Sequence, residues 1–206
     1  MAKSPSLPLE TPPDAKAALN LFATFPNAKR YRLRKGATEE MLAAREEKLG
    51  HRLPDELREL LLEHDGIRET LANSGDLLGG TKTLSSLRRD VRKQWASVVE
   101  ELGEDAPFRF GRRYLVIGTT NCTGHDFALL DMERQLDGDH PVLRFDFDDS
   151  EEVEGFRSLT HYLHWVLLSS NDVPFERLRK LFPERYDMQK FKRMMAAANK
   201  VERPTL

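Results

Sequence analysis

The hydrophobic period of this chain changes twice. Up to Leu102, apolar residues recur every three or four positions; from Phe108 to Phe147 they alternate; from Ser158 the helical spacing returns. A period near 3.6 draws one apolar stripe along a helix, and a period of two draws one apolar face along a strand. The order is therefore helices, a run of strands, then helices. Such segregation predicts an α+β fold, with a central antiparallel sheet of about four or more strands flanked by N- and C-terminal helices. It argues against the alternating pattern of a parallel nucleotide-binding sheet.

Local signals place the elements. Asp14 is a fitting N-cap for a short helix from Ala15 to Phe22, and residues 26–37 read as basic and irregular. Thr38 caps a helix through Leu49, with Glu39 and Glu40 at its electropositive first turn and Gly50 as its stop. Leu53-Pro54 opens a second helix carrying Leu57, Leu60 and Leu61, which stops at Gly66. Gly75, Gly79 and Gly80 mark a loop. Leu84, Leu87, Val91, Trp95, Val98 and Leu102 draw the stripe of a longer helix.

The alternating residues are Phe108/Phe110, Leu115/Ile117, Phe127/Leu129 and Leu143/Phe145/Phe147. Gly111-Arg112-Arg113, the Gly118–Asp126 stretch and Asp137-Gly138-Asp139 connect them, and short connections predict an antiparallel meander. Ser158 caps an amphipathic helix bearing Leu159, Tyr162, Leu163, Val166 and Leu167. Pro174 to Phe182 and Asp187 to Val201 read as two more helices, the last strongly basic.

Composition narrows the class. A single cysteine, Cys122, excludes a disulfide framework within one chain and a Cys-rich zinc site. Met1 to Pro13 is rich in Pro and Ser and lacks an apolar run, so no secretory signal is expected. No apolar stretch approaches the roughly 20 residues a membrane-spanning helix needs. A reducing cytoplasm is the expected compartment. The net charge of −2 disfavours a nucleic-acid partner for the chain as a whole. The charge is uneven, however. Residues 137–154 hold eight acids against one base, Arg144, and residues 174–206 hold nine bases against four acids. Asymmetry of this kind bears on partner choice and association rate more than on fold.

Catalytic and metal signals are weak. Cys122, His125 and Asp126 are near neighbours, but a thiolate and its base usually meet through the fold, and Asn121, Thr123 and Gly124 suit a turn. His161 and His164 stand one helical turn apart, which supplies two metal ligands where more are needed. Asp146, Asp148, Asp149, Glu151 and Glu152 resemble a calcium loop superficially. An EF-hand needs Gly at its sixth position, and Glu151 stands there. The run then reads as a solvated loop or as an acidic docking surface. The glycines match neither a P-loop nor a dinucleotide fingerprint, and no nucleophile elbow is present. No cofactor or metal is expected. Phe175, Phe182, Tyr186 and Phe191 interleave with C-terminal bases, and their helical spacing reads as the buried face of a helix pair.

Several segments resemble, in order, the SUKH superfamily, the Smi/Knr-type domain. Glu46-Glu47-Lys48-Leu49-Gly50-His51-Arg52-Leu53-Pro54-Asp55-Glu56-Leu57-Arg58 is similar to its E-x-x-L-G-x-x-L-P signature. Leu61 to Gly66 resembles the end of its second helix, with Asp65-Gly66-Ile67 replacing the usual Asn-Gly-Gly. Thr123 to Asp131 resembles a family strand pair, Pro141-Val142 the next strand, and Phe156 to Leu168 the closing helix. The resemblance covers residues 38–169, leaving 1–37 as a leader with a short helix and 170–206 as a basic helical extension.

The resemblance implies an α+β domain with a central antiparallel sheet and no shared catalytic set. Bacterial members are commonly immunity proteins that neutralise toxins of contact-dependent or polymorphic toxin systems, and fungal members act in cell-wall regulation. The expected function is then protein binding rather than catalysis. Asp146, Asp148, Asp149, Glu151 and Glu152 are the expected contact face for a partner such as a basic toxin domain. The alternatives are a regulatory or scaffold protein of the same fold, and a hydrolase using Cys122, His125 and Asp126.

Overall fold

The structure, a computed structural model, describes residues 9–24, 30–70, 76–84, 113–119, 126–146 and 153–201, together with Lys93, Ala96 and Glu100. The N-terminal part comprises α1 (Ala15–Thr24), β1 (Tyr31–Leu33), α2 (Glu39–Leu49), α3 (Asp55–Glu63), β2 (Ile67–Glu69) and β3 (Asp76–Leu78). Then come β4 (Tyr114–Thr119), β5 (Asp126–Asp131), β6 (Arg134–Gln135), β7 (Val142–Asp146) and β8 (Val153–Phe156). The chain closes with α4 (Leu159–Ser169), α5 (Phe175–Leu181), α6 (Met188–Ala197) and β9 (Asn199–Lys200). The molecule is α+β, with antiparallel sheets flanked by helices.

The expected caps form. The Asp14 carboxylate accepts from the Ala17 amide at 2.7 Å, and the Thr38 hydroxyl from the Met41 amide at 3.3 Å. The Ser158 hydroxyl accepts from the His161 amide at 3.2 Å. Each satisfies an amide that a helix start leaves without an intrahelical partner. Gly50 closes α2 in the left-handed region, φ 75°.

The four-stranded sheet runs β4-β5-β7-β8, all antiparallel, as the short connections require. A second sheet, β1-β2-β3, lies beside it, and the Gly79 amide donates to the Ile117 carbonyl across the junction at 2.6 Å. Residues 26–37 read as irregular in the sequence, yet Tyr31–Leu33 forms an edge strand paired with β2. Leu84, Lys93, Ala96 and Glu100, the described residues of the expected third helix, are helical. The expected Phe108/Phe110 strand lies outside the described residues. The last helix stops at Ala197, and β9 then pairs with β6.

Alternation along the strands splits the core into two layers. Leu115, Ile117, Ala128, Leu130, Val142 and Phe156 point to one face, packed with α1, α3 and α4 residues including Leu19, Phe22, Leu61 and Leu163. Tyr114, Val116, Phe127, Leu129 and Leu143 point to the other, where Phe191 and Met195 of α6 cover them. A third cluster joins Leu178 and Phe182 to Leu168 of α4. Among the described residues no helix is long and apolar enough to cross a membrane.

Candidate protein-docking site

The motif residues near α2 and α3 are structural. Glu46 is 5% exposed, and its two oxygens are divided between the Leu53 amide and the Arg58 guanidinium, both at 2.8 Å. One carboxylate thus fixes the turn between the helices and the start of α3. Asp65 does similar work, accepting from the Thr81 amide and hydroxyl.

The residues weighed for chemistry divide into two groups. Cys122 and His125 lie outside the described residues, while Asp126 opens β5 opposite Asp146. His161 binds the Ser158 hydroxyl through Nδ1 at 2.9 Å, and burial, its largest influence, holds its pKa below the ordinary value. His164 is fully buried, with the Phe182 ring 5.6 Å away in an edge arrangement. These are packed side chains. Among the described residues no group of three or more His, Cys, Asp or Glu side chains is placed to hold a metal ion.

Of the expected acidic face, Asp146 ends β7, and Asp148, Asp149, Glu151 and Glu152 lie outside the described residues. A different acidic feature is well defined. A cleft of about 280 Å³ opens between the starts of α1, α3 and α4 and the β6–β7 turn. Asp14, Glu56, Glu59 and Asp139 line it, with Lys16, Leu60 and Thr160.

Each carboxylate is placed by its own local structure. Asp14 is there as the cap of α1. Glu56 and Glu59 stand three apart on α3 and so share one helix side. Asp139 follows Asp137 (φ 54°) and Gly138 (φ 94°), two positive-φ residues that form a tight hairpin turn. Leu136 and Asp139 exchange backbone hydrogen bonds across that turn at 2.8 and 3.0 Å. Arg157 pairs with Asp137 at 2.7 Å on the exposed side of the turn.

Lys16 pairs with Glu63 at 3.0 Å. Glu56 is the most perturbed of the acids. Burial foremost, then the charge of Asp139, push its carboxyl up to about 7, against a hydrogen bond from Thr160 at 3.3 Å that favours the charged form. The carboxylates surround a volume instead of converging on a point. That arrangement suits a bulky cationic group better than a bare metal ion.

Sequence reasoning missed this cleft. Its members come from positions 14, 56–59 and 139, so no local motif announces it. Asp139 alone fell inside the acid-rich stretch already marked.

The antiparallel sheet lies between helix layers, with buried carboxylates fixing turns and an acidic cleft on its surface. The chain belongs to the SMI1 / KNR4 family (SUKH-1), whose model matches residues 36–165. None of the curated proteins matches the chain.

Proposed function

We propose that this protein is a cytoplasmic immunity protein that binds and neutralises a toxin of a contact-dependent or polymorphic toxin system. Family membership supplies the class. The observation that carries the reading to this chain is the cleft of Asp14, Glu56, Glu59 and Asp139. It takes a Lys or Arg side chain of a basic partner. The acidic run through Asp146, Asp148, Asp149, Glu151 and Glu152 belongs to the same stretch of chain as Asp139. Its charge favours encounter with a basic partner.

The test has two arms. The protein is co-purified from its native host, and the captured protein is expressed alone and together with it. Growth arrest by the captured protein, relieved on co-expression, supports immunity; a captured protein harmless alone rejects it in favour of a regulator. Association kinetics are then followed for Glu59→Lys/Asp139→Lys and for Asp148→Lys/Asp149→Lys. Slower association with a weaker salt dependence is expected, and unchanged kinetics in both would remove acidic docking from the reading.

A further inference from the structure

The two helices that follow α4 carry exposed bases, and the start of α5 meets the residue before the α6 cap through the Phe175–Tyr186 ring contact. Arg177, Arg179, Lys180, Lys190, Lys192 and Arg193 are all exposed on α5 and α6. Leu178, Phe182, Phe191 and Met195 of the same segment are buried. The apolar residues hold the pair to the body, and the bases are left to solvent.

The bases on α6 are poorly placed for the helix itself. Asp187 caps it, accepting from the Lys190 amide at 2.9 Å, and its first turn holds no acid. Lys190 occupies the third helical position, beside the positive end of the helix dipole, where a cation is disfavoured. A Gln or Glu there would reach back to the cap and complete a reciprocal pair. Lys192 and Arg193 add charge one turn on.

Phe175 supplies the second observation. It is 57% exposed, the exposed large hydrophobic among the described residues. Its ring stands edge-on to Tyr186 with centroids 5.1 Å apart, and the Arg185 guanidinium lies 4.2 Å from the Tyr186 ring. A single strand of nucleic acid needs cations for its phosphates and an aromatic face for a base. Both are here. The sequence spacing assigned all four aromatics to the buried face, and Phe175 departs from that.

We infer that the α5–α6 surface binds single-stranded nucleic acid, its bases meeting the phosphate backbone and Phe175 stacking on one nucleobase.

The full-length protein is titrated into a labelled oligothymidine of about 20 nucleotides, with anisotropy read from about 50 to 200 mM salt. The wild type binds, with affinity falling steeply as salt rises. Lys190→Gln/Lys192→Gln/Arg193→Gln weakens binding and flattens the log–log salt slope by about 2, at roughly 0.7 per lost contact. Phe175→Ala weakens it about tenfold with the slope unchanged. Lys190→Gln alone raises the urea midpoint of unfolding while weakening binding, which a structural lysine would not do. Three results overturn the inference: no binding by the wild type, a Phe175→Ala variant of wild-type affinity, or displacement by poly-glutamate as effective as by unlabelled oligothymidine. The last assigns the surface to acidic proteins.

Discussion

Phe191 of α6 lies against the backbone of Gly155 in β8, so closely that a Cβ at residue 155 would come within 2.2 Å of a ring carbon. The absence of a side chain at 155 is thus what lets α6 seat on the outer face of the sheet. From there Phe191 and Met195 cover Tyr114, Val116, Phe127, Leu129 and Leu143. Arg134 secures the helix end by donating to the Met195 carbonyl, and the Val201 amide donates to the Glu133 carbonyl at 3.0 Å.

The first prediction follows from that contact. Phe191→Ala removes a ring that is 2% exposed and lowers stability by about 3 kcal/mol, read by urea unfolding. Gly155→Ala lowers it comparably by expelling the ring. In the double variant the two losses overlap, because the ring that the added methyl group would displace is already gone. An additive cycle would show that the two residues act independently.

Glu46 carries the second. Glu46→Ala strands the Leu53 amide and leaves Arg58, paired also with Glu39, without its buried partner. Removing one side of a buried pair costs about 3 kcal/mol. Glu46→Gln keeps an acceptor for Leu53 and loses about half as much. The urea midpoint shifts with an unchanged m-value if the fold is retained. Equal losses in the two variants would mean that the charge alone matters.

The third concerns pH. Glu56 binds its proton more tightly when folded, about 7 against an ordinary 4.5. The folded state therefore holds more protons than the unfolded state between these values, and stability falls as pH rises through that window. The contribution is complete below 4.5 and gone above about 7, and amounts to about 3 kcal/mol at most. His161 acts with the opposite sign. Its pKa is held below 6.5, so the stability it gives is present above 6.5 and declines as pH falls. Comparing wild type with Glu56→Gln across pH isolates the Glu56 component. Gln keeps an acceptor for Thr160, and the difference should grow in favour of the variant from pH 4.5 to 7. A constant difference would show that Glu56 titrates at an ordinary value.

Much of this was legible locally. The change of period separated helices from strands, and Asp14, Thr38 and Ser158 announced helix starts through the chemistry of their own side chains. Gly50 announced a stop. These signals reside within a few residues of the structure they specify. β1, β2 and β3 were not legible, because three residues are too few to display an alternation. The role of α6 was half legible: its stripe said that it packs, but not on which sheet face. The cleft was invisible for a different reason. Asp14 reads as a cap and Glu56 as part of a motif, and only the packing of α1 beside α3 and α4 gives the two a common neighbour in Asp139.

That neighbour gives the last prediction. Asp139 is the second influence on Glu56 after burial, and Thr160 opposes both. Asp139→Asn removes a negative charge without changing the shape of the cleft, so the Glu56 pKa should drop below 7 toward its ordinary value. Thr160→Val removes the hydrogen bond to the charged form, so the pKa should rise. Carbon-detected NMR titration of the Glu56 carboxyl reads both directly. Gly138→Ala strains a backbone at φ 94° and should shift the Glu56 titration in the same direction as Asp139→Asn, by displacing the turn that holds Asp139. If Asp139→Asn leaves the titration unmoved, the two carboxylates do not share the cleft, and the docking site built on them fails with it.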